Sequence, residues 1–126
     1  MANHQEPTFG NGKICYLEIP AVDIQQSAHF YECVFGWRIR RDQAGAVGFD
    51  DGVGQVSGMW VLGRPPSTTP GVIVSIMVDD AAATLGLIIG HGGKIIRPIG
   101  ADTPETTALF TDPAGNLFSI YQHRGG

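Results

Sequence analysis

The chain has 126 residues, 43% of them apolar and only 16% charged, with a formal net charge of −4. A charged fraction well under the usual ~25% excludes a disordered chain and fits one compact domain or two small modules packed together. The densest cationic run, Arg38, Arg40 and Arg41, meets Asp42 at once, so no basic patch offers itself to nucleic acid, and no apolar run reaches a membrane span of ~20 residues.

Residues 1–12 read as a loose arm rich in Asn, Gly and Gln, too polar for a secretory leader. Residues 13–20 alternate, with Ile14, Tyr16, Glu18 and Pro20 on one face and Cys15, Leu17 and Ile19 on the other, which predicts a strand. Asp23 is placed to cap a helix whose inner face is Ile24, Ala28, Tyr31, Val34 and Phe35, and Gly36 is placed to end it. Gln25, Gln26, His29 and Glu32 fall on the outer face. Three strands follow, over residues 37–41, 47–50 and 55–62, with a turn at Asp51-Gly52.

Residues 65–71 are a linker by composition, led by Pro65-Pro66 and closed by Pro70-Gly71. The same order then restarts. Residues 72–78 predict a strand, Asp79 and Asp80 a cap, and Ala81, Leu85, Ile88 and Ile89 the inner face of a second helix ending in Gly90-His91-Gly92-Gly93. Strands are expected at 94–99, 107–111 and 117–122, the last two joined by the turn Asp112-Pro113-Ala114-Gly115-Asn116. Asp79 follows Asp23 by 56 residues, and Ile95 follows Ile39 and Val78 follows Val22 at that same offset. Strand-helix-strand-strand-strand therefore occurs twice: a first module at 13–64, the linker, and a second module at 72–124. The fold class is α+β, two tandem βαβββ modules that together make one compact domain.

Cys15 and Cys33 sit in an apolar strand pattern and a helical pattern, and are expected to be buried free thiols. No Gly-x-Ser-x-Gly and no phosphate-binding glycine loop is present.

The run Tyr-Leu-Glu-Ile-Pro to Phe-Gly-Trp (residues 16–37), the second copy at 71–96 and the closing Ala-Leu-Phe-Thr-Asp-Pro-Ala-Gly-Asn-Leu-Phe-Ser-Ile-Tyr-Gln (108–122) together resemble the vicinal oxygen chelate superfamily of glyoxalases, bleomycin-resistance proteins and extradiol dioxygenases. The resemblance spans about residues 13–123 and implies paired modules whose curled mixed sheet surrounds an open cleft. It also implies that metal-using members place His, Glu or Gln ligands at positions that fall here on Tyr16, on 57–60, on Ile73 and on Ser119. None of these is a good ligand for Zn²⁺, Ni²⁺ or Fe²⁺, and residues 52–78 hold no Asp, Glu, His or Cys at all. No metal or other cofactor is expected. A substitute site would need Glu18, His91, His123 and an Asp to converge from elsewhere.

Strand alternation turns Tyr16, Glu18, Ile73, Ser75, Met77, Leu117, Ser119 and Tyr121 into the cleft, with Phe118 and Ile120 against a helix. Of the adjacent Met59 and Trp60 only one can face inward, and Trp60 is the expected ligand-stacking platform. This lining suits a small apolar or aromatic ligand. Glu18, as a desolvated carboxylate, is the candidate general base, unless it pairs with Arg38, Arg40 or Arg97 or faces water. Two functions stay open: a metal-independent small-molecule-binding protein, or a lyase, isomerase or dioxygenase-type enzyme working through Glu18 or a non-standard metal site. A cytoplasmic homodimer is expected, with no nucleic-acid or membrane partner.

Overall fold

A computed structural model describes residues 6–100 and 106–122. The chain divides between Arg64 and Pro65 into two compact units.

In the first unit, β1 (Tyr16–Pro20) leads into α1 (Ile24–Phe35), then β2 (Arg38–Arg41), β3 (Val47–Asp50) and β4 (Ser57–Val61). The Asp23 carboxylate accepts the Gln26 N–H at 3.1 Å and starts α1. Gly36 ends the helix in the left-handed conformation at φ +70°, its N–H donating to Glu32 O. The sheet order is β1-β4-β3-β2, with β1 parallel to β4 and the other pairs antiparallel. One face of the sheet carries α1, and the core between them is a string of rings. Tyr31 stacks on Trp37 at 4.5 Å, Trp37 on Phe49 at 4.6 Å, and Phe49 meets Trp60 at 4.8 Å. Gly58 lies under this string because a Cβ there would come within 2.3 Å of both the Phe49 ring and Leu17 O.

The second unit repeats the order with β5 (Ser75–Val78), α2 (Ala81–Gly90), β6 (Lys94–Arg97), β7 (Thr107–Thr111) and β8 (Leu117–Gln122), arranged β5-β8-β7-β6 with β5 parallel to β8. Its core holds Ala81, Ile88, Ala108, Phe110, Phe118 and Ile120. The two βαβββ units have the expected α+β architecture. The helix cap is Asp80, not Asp79: its carboxylate accepts the Ala83 N–H at 3.0 Å. Ile89, expected inside, is 62% exposed, and Thr84 takes the inner position with Ala81 and Ile88. Ala81, Thr84 and Ile88 fall three and four residues apart on one face, and Ile89, about 100° further round the helix than Ile88, turns off the sheet.

The segment expected to be a linker is tied down within the second unit. The Ser67 N–H donates to Asn116 Oδ1 at 2.8 Å, and the Leu117 N–H donates to Ser67 O at 2.9 Å. Asn116 Nδ2 in turn donates to both carboxylate oxygens of Asp112, and Asn116 and Asp112 are both buried. Residues 66–68 therefore form a strap over the 112–116 turn, where Gly115 at φ +100° faces Pro66 and Thr68.

Candidate functional site

In each unit the sheet face opposite the helix is free of that unit's own helix, and register decides what it shows. In the first unit, one row across the strands is Tyr16, Ser57, Asp50, Arg38, and the next is Glu18, Met59, Gly48, Arg40. Gly48, lacking a side chain, leaves a notch in the second row. A hollow of about 410 Å³ opens there, lined by Tyr16, Arg40, Gly48 and Met59 together with the β2–β3 hairpin. Its polar edge is built: Ser57 Oγ donates to Asp50 Oδ1 at 2.7 Å, and Arg40 Nη2 lies 3.1 Å from the same oxygen. Asp50 is largely shielded while Arg40 is half exposed, so the guanidinium keeps donors facing outward.

In the second unit the corresponding face is milder. One row is Ser75, Ser119 and Leu109, and the next is Met77, Tyr121 and Thr107, with the β8 residue in the middle of each. A register shift between Ile95 and Arg97 brings Arg97 opposite Leu109, and Arg97 Nη2 donates to Thr107 Oγ1 at 3.3 Å. Ser119 is buried, its hydroxyl donating to Ile120 O at 3.3 Å.

Several expectations change against this geometry. Trp60 is 1% exposed and faces α1, so it is a core residue and no ligand platform; Met59 takes the open face beside Glu18. Ile73 precedes β5 and is exposed, and Ser75 is the residue beside Ser119. Glu18 is exposed and pairs with Arg64 at 2.5 Å, so its carboxylate is neither desolvated nor held by Arg38, Arg40 or Arg97. Cys15 and Cys33 are exposed rather than buried. Cys15 lies just before β1, and Cys33 faces away from the sheet on α1. His91 Nδ1–H donates to Leu87 O at 2.9 Å, a helix-end contact, and His123 lies outside the described residues. Tyr16, Leu117 and Tyr121 are at least partly exposed, and Phe118 and Ile120 are buried. Arg40 and Asp50 were not among the expected site residues; the alternation Arg38-Ile39-Arg40 was the signal that this strand shows charge on one face.

The sequence pattern of the Glyoxalase/Bleomycin resistance protein/Dioxygenase superfamily matches residues 13–120. The chain belongs to that superfamily. A glyoxylase-like domain-containing protein from Didymella fabae is 28% identical over 131 residues, covering 91% of this chain and 97% of that protein. Among solved structures, TnmS3, an antibiotic binding protein from Streptomyces sp. CB03234, superposes with a TM-score of 0.67 at 22% identity, over 91% of this chain and 98% of its own. The fosfomycin resistance protein FosX from Mesorhizobium loti gives 0.70 at 14% identity, over 93% and 96%. At these identities the structural likeness shows the fold.

Metal-using members of the superfamily need imidazole, carboxylate or amide donors on their open sheet faces. The donors at the matching positions here do not fit a divalent transition metal. The first unit offers the Tyr16 phenol beside a Ser57 hydroxyl already committed to Asp50. The second offers the Ser75 and Ser119 hydroxyls. Neutral hydroxyls hold Zn²⁺ or Fe²⁺ poorly. The carboxylates that do stand on the first unit's open face, Glu18 and Asp50, are each paired with an arginine. No described helix is long and apolar enough to cross a membrane.

Proposed function

We propose that this protein binds a small aromatic ligand with no metal ion at the ligand site, holding it against the open face of the first unit's sheet. The observation that carries the reading is the notch at Gly48, with an aromatic ring, a thioether and a guanidinium around it. Tyr16 and Met59 supply adaptable apolar contact, since a phenol ring and a thioether both accept flat π surfaces. Arg40, held by Asp50, supplies outward donors that fix the orientation of a ligand oxygen. The antibiotic-binding role of TnmS3 supports looking for the ligand among aromatic natural products. Tyr121, Ser75, Met77 and Leu117 form the second unit's comparable surface. The protein acts as a homodimer, because each sheet ends in strands whose outer edge no strand of its own unit pairs.

The test is a thermal-shift screen of aromatic natural products, followed by calorimetry of each hit in the presence of a chelator. Binding that survives the chelator and is lost in Met59→Lys, with the variant's own melting temperature kept, supports the reading. Binding that disappears with chelator and returns with zinc overturns it, as does a hit insensitive to Met59→Lys and Tyr16→Ala alike. Light scattering of the pure protein tests the dimer, and a monomeric mass contradicts it.

A further inference from the structure

The outer face of α1 carries two side chains of metal-ligating type one helical turn apart. His29 and Cys33 are both exposed, and Cys33 Sγ lies 3.5 Å from His29 Nε2 and 3.7 Å from Nδ1. The backbone beneath them is held at both ends, by the Asp23 cap and by Gly36, and on its inner side by buried Ala28, Tyr31 and Val34. We propose that His29 and Cys33 form a chelating site for a borderline-soft divalent cation of the zinc class, separate from the ligand face on the opposite side of the sheet. The argument is dimensional. With Zn–N of about 2.0–2.1 Å and Zn–S of about 2.3 Å, a tetrahedral ion separates its nitrogen and sulfur ligands by about 3.5 Å. That is the spacing already present between Sγ and Nε2. An imidazole and a thiolate also select this class of ion over Mg²⁺ or Ca²⁺, which take oxygen. Glu32, exposed and three residues beyond His29, adds negative charge to the same face. On binding, the thiol releases its proton to solvent, the imidazole coordinates in its neutral form, and water completes the coordination sphere.

The test is titration of the reduced full-length chain with Zn²⁺ by calorimetry, and with Co²⁺ by absorption, where a thiolate ligand gives a charge-transfer band. One ion per chain is expected, with the Co²⁺ band present. His29→Asn and Cys33→Ser should each weaken binding at least tenfold, about the loss seen when even an outer-sphere partner of a metal ligand is removed. Cys15→Ser, at the other exposed thiol, should leave it unchanged. Both α1 positions are exposed, so the melting temperatures of the metal-free variants should match the parent and show that folding is intact. Absence of Zn²⁺ binding by the parent chain overturns the site. So does binding that is the same in His29→Asn as in the parent, which would assign the ion to the thiol alone or to another place.

Discussion

Arg40 Nη2 stands 3.1 Å from Asp50 Oδ1, and the Ser57 hydroxyl donates to that same oxygen from the neighbouring strand. Three strands of the first sheet are thereby joined on their open face, and the guanidinium is aimed beside the Gly48 notch. A half-exposed pair of this kind is worth ~0.2–1 kcal/mol to folding. Arg40→Gln should therefore lower stability by no more than about 1 kcal/mol in urea unfolding. The same variant should weaken a ligand found by the screen about tenfold, the loss of a charge-assisted hydrogen bond of ~1.5–3 kcal/mol partly offset by the glutamine amide. A large stability loss with unchanged affinity would show Arg40 to be structural.

Gly58 makes an opposite prediction. A methyl group there would meet the Phe49 ring and Leu17 O at 2.3 Å, and the carbonyl, being backbone, can give way little. Gly58→Ala should cost at least the ~1–3 kcal/mol of an overpacked core, read as a lower urea midpoint at unchanged slope. Gly48, ten residues earlier, offers its hypothetical Cβ a milder 3.1 Å contact with Gly58 O. Gly48→Ala should be the better tolerated of the two while narrowing the ligand notch.

The strands, both helices and the hairpin turn were legible because each rests on a local signal: a period of two, a capping Asp, a glycine at positive φ. The order in which those signals recur showed the repeated module, and the family resemblance rested on the residue runs at 16–37, 71–96 and 108–122. What escaped was decided by register or by distant partners. Met59 and Trp60 are neighbours, so only the pairing of Met59 with Glu18 settles which one faces the helix. Gly58 was the available clue, since a glycine beside Leu17 and Phe49 marks the crowded face and puts Trp60 there too. Arg40 and Asp50 lie on the second and third strands of the module in chain order, outside the first and last strands from which the site residues were expected. The 65–71 segment has a linker's composition, and nothing local reveals that Asn116, 49 residues beyond Ser67, fastens it.

Trp60 tests the core assignment. Its ring touches Tyr31 and Phe49, and its Nε1 is a buried donor with no hydrogen-bond partner among the described residues. Such a donor carries a desolvation cost that a purely apolar ring avoids. Trp60→Ala should cost ~3–5 kcal/mol, as deletion of a large buried ring does. Trp60→Phe removes the unsatisfied donor along with some volume, and should cost clearly less, no more than about 2 kcal/mol. Equal losses in the two variants would mean that the indole nitrogen is satisfied in solution.

Asn116 tests the strap. Its side chain accepts from the Ser67 N–H and donates to Asp112, so one buried amide joins the 112–116 turn to the segment that opens the second unit. Asn116→Ala leaves the Ser67 N–H without this acceptor and takes the Nδ2 donor from Asp112, which keeps the N–H groups of Ala114 and residue 116. The expected loss is ~1–3 kcal/mol, the cost of stranding shielded polar groups. Because the Leu117 N–H also bonds to Ser67 O, the strap should loosen before β8 does. Hydrogen exchange should then show faster exchange at the Ser67 and Leu117 amides while the amides of β7 and β8 that face each other keep their protection. Uniform loss of protection across the unit would mean that Asn116 supports the whole core instead of fastening the strap.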